Sequence, residues 1–94
     1  MAVKILIKRN VNNEKEAELQ VLLKKLRSLT MNQKGYISGE TLTRYDKPDE
    51  NLVISTWQSA DDWRSWVISN ERKEIQEQID ALLGVETTYE IYQY

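Results

Sequence analysis

The sequence predicts an α+β fold in which a strand–helix–strand unit occurs twice and the strands share one antiparallel sheet. Three observations carry this. Val3, Ile5 and Ile7 alternate with Lys4, Leu6 and Lys8 at the period of a half-buried strand. Leu19, Leu22, Leu23, Leu26 and Leu29 form one stripe at helical spacing. Residues 3–45 and 52–94 then run through the same order of elements.

Each element has a local cause. After the first strand, Asn10-Val11-Asn12-Asn13 offers side chains that suit a turn and a helix N-cap. The first helix has Glu14, Glu16 and Glu18 early and Lys24, Lys25 and Arg27 late, the order that complements the helix dipole. Gly35 breaks the chain, and the β-branched and aromatic run Tyr36 to Tyr45 is the second strand. Residues 46–51 (DKPDEN) form a turn, and Leu52 to Gln58 is the third strand. Ser59 caps the next helix, with Asp61 and Asp62 in its first turn. Trp63, Trp66 and Val67 share one of its faces, and Ser69-Asn70 breaks or bends it. Ile75, Ile79, Leu82 and Leu83 continue a helical stripe to Gly84, a C-terminal stop, and Val85 to Tyr94 is the last strand.

This order, β-α-β-β-α-β, is the ferredoxin-like pattern, with both helices on one face of the sheet. The alternate register assigns Lys4, Leu6, Lys8, Leu42, Arg44, Val53, Trp57, Tyr92 and Tyr94 to the opposite face. Apolar and aromatic residues among positive charges suit a face that packs on another sheet, so a homodimer through this face is expected.

Composition limits the chemistry. The 94 residues include no histidine, no cysteine and no phenylalanine, but three tryptophans and five tyrosines. That excludes thiolate nucleophiles, disulfides, cysteine or histidine metal sites and Ser-His triads within this chain. No metal site and no cofactor are expected: Asp46, Asp49 and Glu50 lack metal-loop spacing, and no glycine-rich phosphate motif exists. A net charge of −2 argues against nucleic-acid binding. The charge is divided, with nine Lys/Arg against four Asp/Glu in residues 1–45 and four against eleven in residues 46–94. Two such halves either attract each other or the opposite half of a second copy, or each simply presents a solvated face. No signal peptide or membrane-length apolar run is present, so a cytoplasmic location away from membranes is the expectation.

Gly35-Tyr36 opening a strand, Trp57-Gln58-Ser59 closing one, and Trp63-x-x-Trp66-x-x-Ser69 resemble the antibiotic biosynthesis monooxygenase (ABM) family of dimeric α/β barrels. The resemblance spans nearly the whole chain, so residues 1–94 are read as a single domain. It implies a dimer with a small-molecule pocket between helices and sheet in each protomer. Family members include cofactor-free monooxygenases of polyphenolic or quinol substrates and haem-degrading enzymes. In the haem-degrading branch a tryptophan flexes the porphyrin and a histidine ten residues later ligates iron. Trp66 resembles that tryptophan, but the ligand position holds Gln76, a poor axial ligand. Nor does Asn10, past the strand end, take over that branch's first-strand asparagine.

The reading is therefore a cofactor-independent monooxygenase of an aromatic hydroxyl compound, quinol or anthrone in type. The alternative is a non-catalytic dimeric binding or stress-response module, and haem handling ranks behind both. Trp66 and Asn70 are the candidate catalytic residues. Trp57, Trp63, Tyr45, Arg44 and Tyr89 are the candidate substrate contacts, the tryptophans by stacking and the others by hydrogen bonding. Arg64 and Arg72 are further possible donors. Each has a structural alternative: Trp57 and Trp63 as core, Asn70 as a helix cap, Arg44 as a contact to the dimer partner.

Overall fold

The alternating residues of β1 (Val3–Asn10) place Val3 and Ile5 in the core, at 3 % and 0 % exposure. The computed structural model describes residues 1–11 and 14–94, so the expected cap residues Asn12 and Asn13 lie outside the described region. Lys15 takes the N-cap position of α1 (Glu16–Thr30) without a side-chain cap bond, and its Nζ donates instead to the Leu82 carbonyl at 2.7 Å. Glu16 and Glu18 in the first turn and Arg27 in the last favour the helix dipole. The chain continues through β2 (Tyr36–Thr43), β3 (Glu50–Trp57), α2 (Ala60–Val67), α3 (Asn70–Leu83) and β4 (Tyr89–Gln93).

The capping expected for the second helical region is present. The Ser59 side chain accepts from the Asp62 N–H at 3.1 Å and starts α2. Ser69 accepts from the Arg72 N–H at 3.3 Å and restarts the helix as α3. Gly84 ends α3 at φ +73°, a conformation that favours glycine. Gly35 has φ +86°, and a Cβ there would lie 2.3 Å from the Asp62 carboxylate, so the start of α2 packs directly on the turn into β2.

Strand order is β2-β3-β1-β4 with every pair antiparallel, the ferredoxin-like arrangement. Strand ends differ from expectation at several places: β1 runs on through Asn10, which pairs with Glu50 rather than lying past the strand end, and β3 and β4 stop at Trp57 and Gln93, one residue short. β2 stops at Thr43, because Arg44 and Tyr45 already belong to the turn, where the Arg44 N–H bonds to the Glu50 carbonyl. β3 begins at Glu50, since residues 50 and 51 still pair with Asn10 and Arg9. β4 begins only at Tyr89, because Thr87 directs its N–H and hydroxyl to Asp80 of α3.

The register corrects the assignment of sheet faces. Residues directly opposite in an antiparallel pair share a face. Val3 lies opposite Trp57 and Ile7 opposite Val53, so Trp57 and Val53 point to the helix side with Val3, Ile5 and Ile7. The expected positions of Lys4, Leu6, Lys8, Leu42 and Tyr92 on the other face hold, and Leu52 and Ile54 join them.

Two core clusters follow. Val3, Ile5 and Trp57 pack against Trp63 and Trp66 of α2, while Leu19 of α1 packs against Val11 and against Ile75 and Ile79 of α3. Leu26 and Leu29 bridge the two. Ile5, Leu19 and Ile79 are fully enclosed; each such side chain contributes about 1.5–3 kcal/mol of burial free energy. Among the described residues no helix is long and apolar enough to cross a membrane.

Candidate functional site

Between the helices and the inner face of the sheet lies a cavity of about 340 Å³. Its aromatic wall comes from four elements. Trp57 ends β3, Trp63 and Trp66 project from α2 three residues apart, and Tyr36 and Tyr89 open β2 and β4. The rings brace one another edge to face: Tyr36 and Trp57 have centroids 5.5 Å apart at 80°, and Trp63 and Tyr89 5.6 Å apart at 66°. Such contacts fix ring orientation. The Trp57 indole N–H is held by the Ser55 hydroxyl at 3.1 Å. Ile7, Leu23, Leu26 and Val53 complete the apolar lining.

One end of the cavity is polar. Arg72, only 6 % exposed, donates from Nη2 to the Gln76 Oε1 at 3.1 Å and to the Tyr89 hydroxyl. Its guanidinium carbon sits 5.0 Å from the Tyr89 ring centroid. The Gln76 amide nitrogen in turn donates to Asp80 at 2.8 Å and Thr87 at 2.7 Å. Arg9 of β1, also 6 % exposed, lies on the same wall. Burial, then the like charge of Arg9, pushes Arg72 down to about 10, with the Asp80 charge opposing. Arg9 is likewise lowered by burial and raised by Asp80. Both are protonated at neutral pH, so this end of the cavity is electropositive.

The structure brings together Trp57, Trp63, Trp66 and Tyr89 of the residues singled out from sequence, and adds Arg72 from the further donors. Four others lie apart from the cavity wall. Arg44 sits on the β2–β3 turn, bonded to Asp46 at 2.6 Å and Glu50 at 3.3 Å. Tyr45 beside it is 99 % exposed. Asn70 opens α3 on the protein surface, while Ser69 performs the capping. Arg64 pairs with Asp61 at 3.2 Å on the outer side of α2. Gln76, at the position where a haem ligand was considered, is engaged by Arg72, Asp80 and Thr87.

Sequence reasoning missed Arg9, Tyr36 and Ser55. The signal for Arg9 was present: it occupies the next inward position after Val3, Ile5 and Ile7, where a charge is out of place unless it serves a buried site.

The family model described as Antibiotic biosynthesis monooxygenase matches residues 2–78. Solved structures share the fold closely. A conserved protein from Methanosarcina mazei Go1 is 25 % identical, with a TM-score of 0.89 over 99 % of this chain and 92 % of that one. SnoaB, a cofactor-independent oxygenase from Streptomyces nogalater, is 16 % identical with a TM-score of 0.85, over 99 % of this chain and 92 % of its own. Rv0793 from Mycobacterium tuberculosis is 15 % identical with a TM-score of 0.85, over 100 % and 95 %. No curated protein sequence matches the chain.

Proposed function

Because the chain belongs to the antibiotic biosynthesis monooxygenase family, we propose that it is a cofactor-independent monooxygenase of an aromatic hydroxyl compound, quinol or anthrone in type. The observation that carries this reading is the cavity itself, walled by three tryptophans and lined at one end by buried Arg72 bonded to half-buried Tyr89. The likeness to SnoaB supports the same chemistry for this scaffold.

In such a reaction the substrate is its own reductant. A ring CH₂ conjugated to a carbonyl, across the central ring in an anthrone, loses a proton, and the carbanion passes an electron to dioxygen. The radical pair combines to a peroxide at that carbon, and loss of water leaves a new carbonyl. One O₂ is consumed, with one oxygen atom in the product and the other in water. Trp57, Trp63 and Trp66 hold the ring and exclude water. The cationic end, where Arg72 sits with Arg9, stabilises the anion before and during electron transfer. With no histidine in the chain, the site acts by stabilising the substrate anion and so lowering the substrate's own pKa. The proton leaves to solvent on the side of the cavity lined by the exposed Lys24 and Arg27.

Oxygen uptake with a panel of anthrones and naphthohydroquinones tests this. Uptake is expected for the wild type and at least tenfold less for Trp66→Ala, which removes one flat wall. No uptake above the Trp66→Ala level with any member would overturn turnover and leave a binding module on the same cavity.

The outer sheet face is where a second copy docks. Leu6, Leu42, Leu52, Ile54 and Tyr92 share it with Lys4, Lys8 and Glu90, and Leu42, Tyr92 and Tyr94 are more than 40 % exposed. A small domain gains stability by covering such a patch. Sedimentation equilibrium is expected to give twice the 11.1 kDa chain mass at micromolar concentration. A chain-mass species alone would exclude this interface. The cysteine-free composition supports a cytoplasmic site of action.

A further inference from the structure

Arg9 is not accounted for by the fold. Its guanidinium is buried, and among the described residues neither Nε nor Nη2 has a hydrogen-bond partner. Buried polar atoms in folded proteins are almost always partnered, so two vacant donors on one cation call for an explanation. Neighbouring groups do not supply one. Asp80 is the nearby carboxylate whose charge Arg9 feels, but its Oδ1 already receives the Gln76 amide, the Thr87 hydroxyl and the Thr87 N–H. Arg72 is near enough to repel Arg9. Two buried cations and one carboxylate leave this corner with an excess positive charge, an expensive arrangement unless an anion joins it.

The rest of the wall has the same bias. Four basic side chains line the cavity, Arg9, Lys24, Arg27 and Arg72, against one acidic residue, Glu40. Lys24 and Arg27 of α1 are exposed, so they attract an anion from solvent, whereas Arg9 and Arg72 are buried where it would come to rest. The vacant atoms also define the shape of the missing group. Nε and Nη2 form one edge of the planar guanidinium, and their parallel N–H bonds match the two oxygens of a carboxylate.

We propose that the ligand of this cavity is an aromatic carboxylate, its ring against the tryptophans and its carboxylate paired with Arg9. Arg9 is then a specificity-determining residue, and Arg72 faces the hydroxyl-bearing part of the ring. The proposal rests on the cavity being the ligand site of the function proposed above, and it narrows the substrate to compounds with an acid group.

Isothermal titration calorimetry with 2-naphthoate and 2-naphthamide, which share a ring system and differ in charge, tests it. In the wild type the naphthoate is expected to bind at least tenfold more tightly than the amide. In Arg9→Met that ratio falls to about one, while amide affinity stays within threefold of wild type and so reports an intact cavity. Arg9→Lys recovers part of the ratio, as a point charge without the fork. Equal binding of the two probes to the wild type, binding of neither, or a ratio that survives in Arg9→Met would each overturn the proposal. The two readings fail separately. Oxygen uptake from a neutral anthrone without any carboxylate preference removes the acid group and leaves the oxygenase. An Arg9-dependent preference without oxygen uptake from any compound leaves the acid-binding site and removes the chemistry.

Discussion

Trp57→Ala is expected to destabilise the protein by about 3–5 kcal/mol, the range for removing a large aromatic side chain from a packed core. Trp57 is 1 % exposed and contacts both layers of the fold. On the sheet it lies opposite Val3 of β1 and Tyr36 of β2; from above it is covered by Trp63 and Trp66. Its removal deletes the edge-to-face contact with Tyr36 and strands the Ser55 hydroxyl that receives its N–H. The cavity beside it means that the void cannot collapse onto filled space. Domains of this size have a total stability of about 5–15 kcal/mol. The loss therefore lowers Tm by roughly 12–40 °C, at about 4–8 °C per kcal/mol. Urea denaturation followed by circular dichroism checks this. Trp57→Phe keeps a ring in place and is expected to lose less than half as much. A Trp57→Ala loss below about 1 kcal/mol would contradict a core position for this residue.

How far the sequence discloses this arrangement depends on whether the signal is local. Caps and stops are local: Ser59, Ser69 and Gly84 act on residues within one turn, and each does in the structure what its side chain or its absence dictates. Alternation in β1 is equally legible, because Val3, Ile5 and Ile7 leave only one reasonable inward face. β3 carries no such instruction. Leu52, Val53 and Ile54 are consecutive apolar residues, so either parity can face inward, and only pairing with β1 decides that Val53 and Trp57 do. β2 adds an irregularity between Tyr36 and Ser38 that no single-strand pattern announces.

The site follows the same division. The tryptophans were visible because large aromatic residues at helical spacing must be buried against something. Arg44 and Tyr45 were misplaced because β2 was read two residues too long, and inside a strand they would have pointed to a sheet face rather than into a turn. The divided charge has a partial counterpart in the fold. Arg44 of the basic half pairs with Asp46 and Glu50 of the acidic half, and Asp80 acts on Arg9 across the same division. The positive corner of the cavity is a tertiary product, since Arg9 of β1 and Arg72 of α3 are 63 positions apart in sequence and act on each other only in the folded chain.

Replacement of Arg72 by methionine is expected to lower kcat/KM for oxygen uptake by about 10²–10³, the loss that follows from removing one charged donor aimed at a developing anion in a dry site. Folding is perturbed less, because two effects oppose. Gln76 Oε1 and the Tyr89 hydroxyl lose a donor, but the fold no longer has to bury a guanidinium that burial pushes down to about 10. pH separates the two roles. The unfolded chain keeps Arg72 charged to a higher pH than the folded one, so its burial penalty is fully present below pH 10 and is relieved as pH rises from there. Wild-type stability relative to Arg72→Met therefore increases as pH rises above about 10. Activity moves the other way: a rate that needs the charged guanidinium falls as pH rises through about 10, and Arg72→Met lacks that descending limb. Arg72→Lys retains a charge and part of the rate, and burial of its amine brings the limb to lower pH than in the wild type. A wild-type rate and a relative stability that fall together above pH 10 would assign Arg72 to the fold alone.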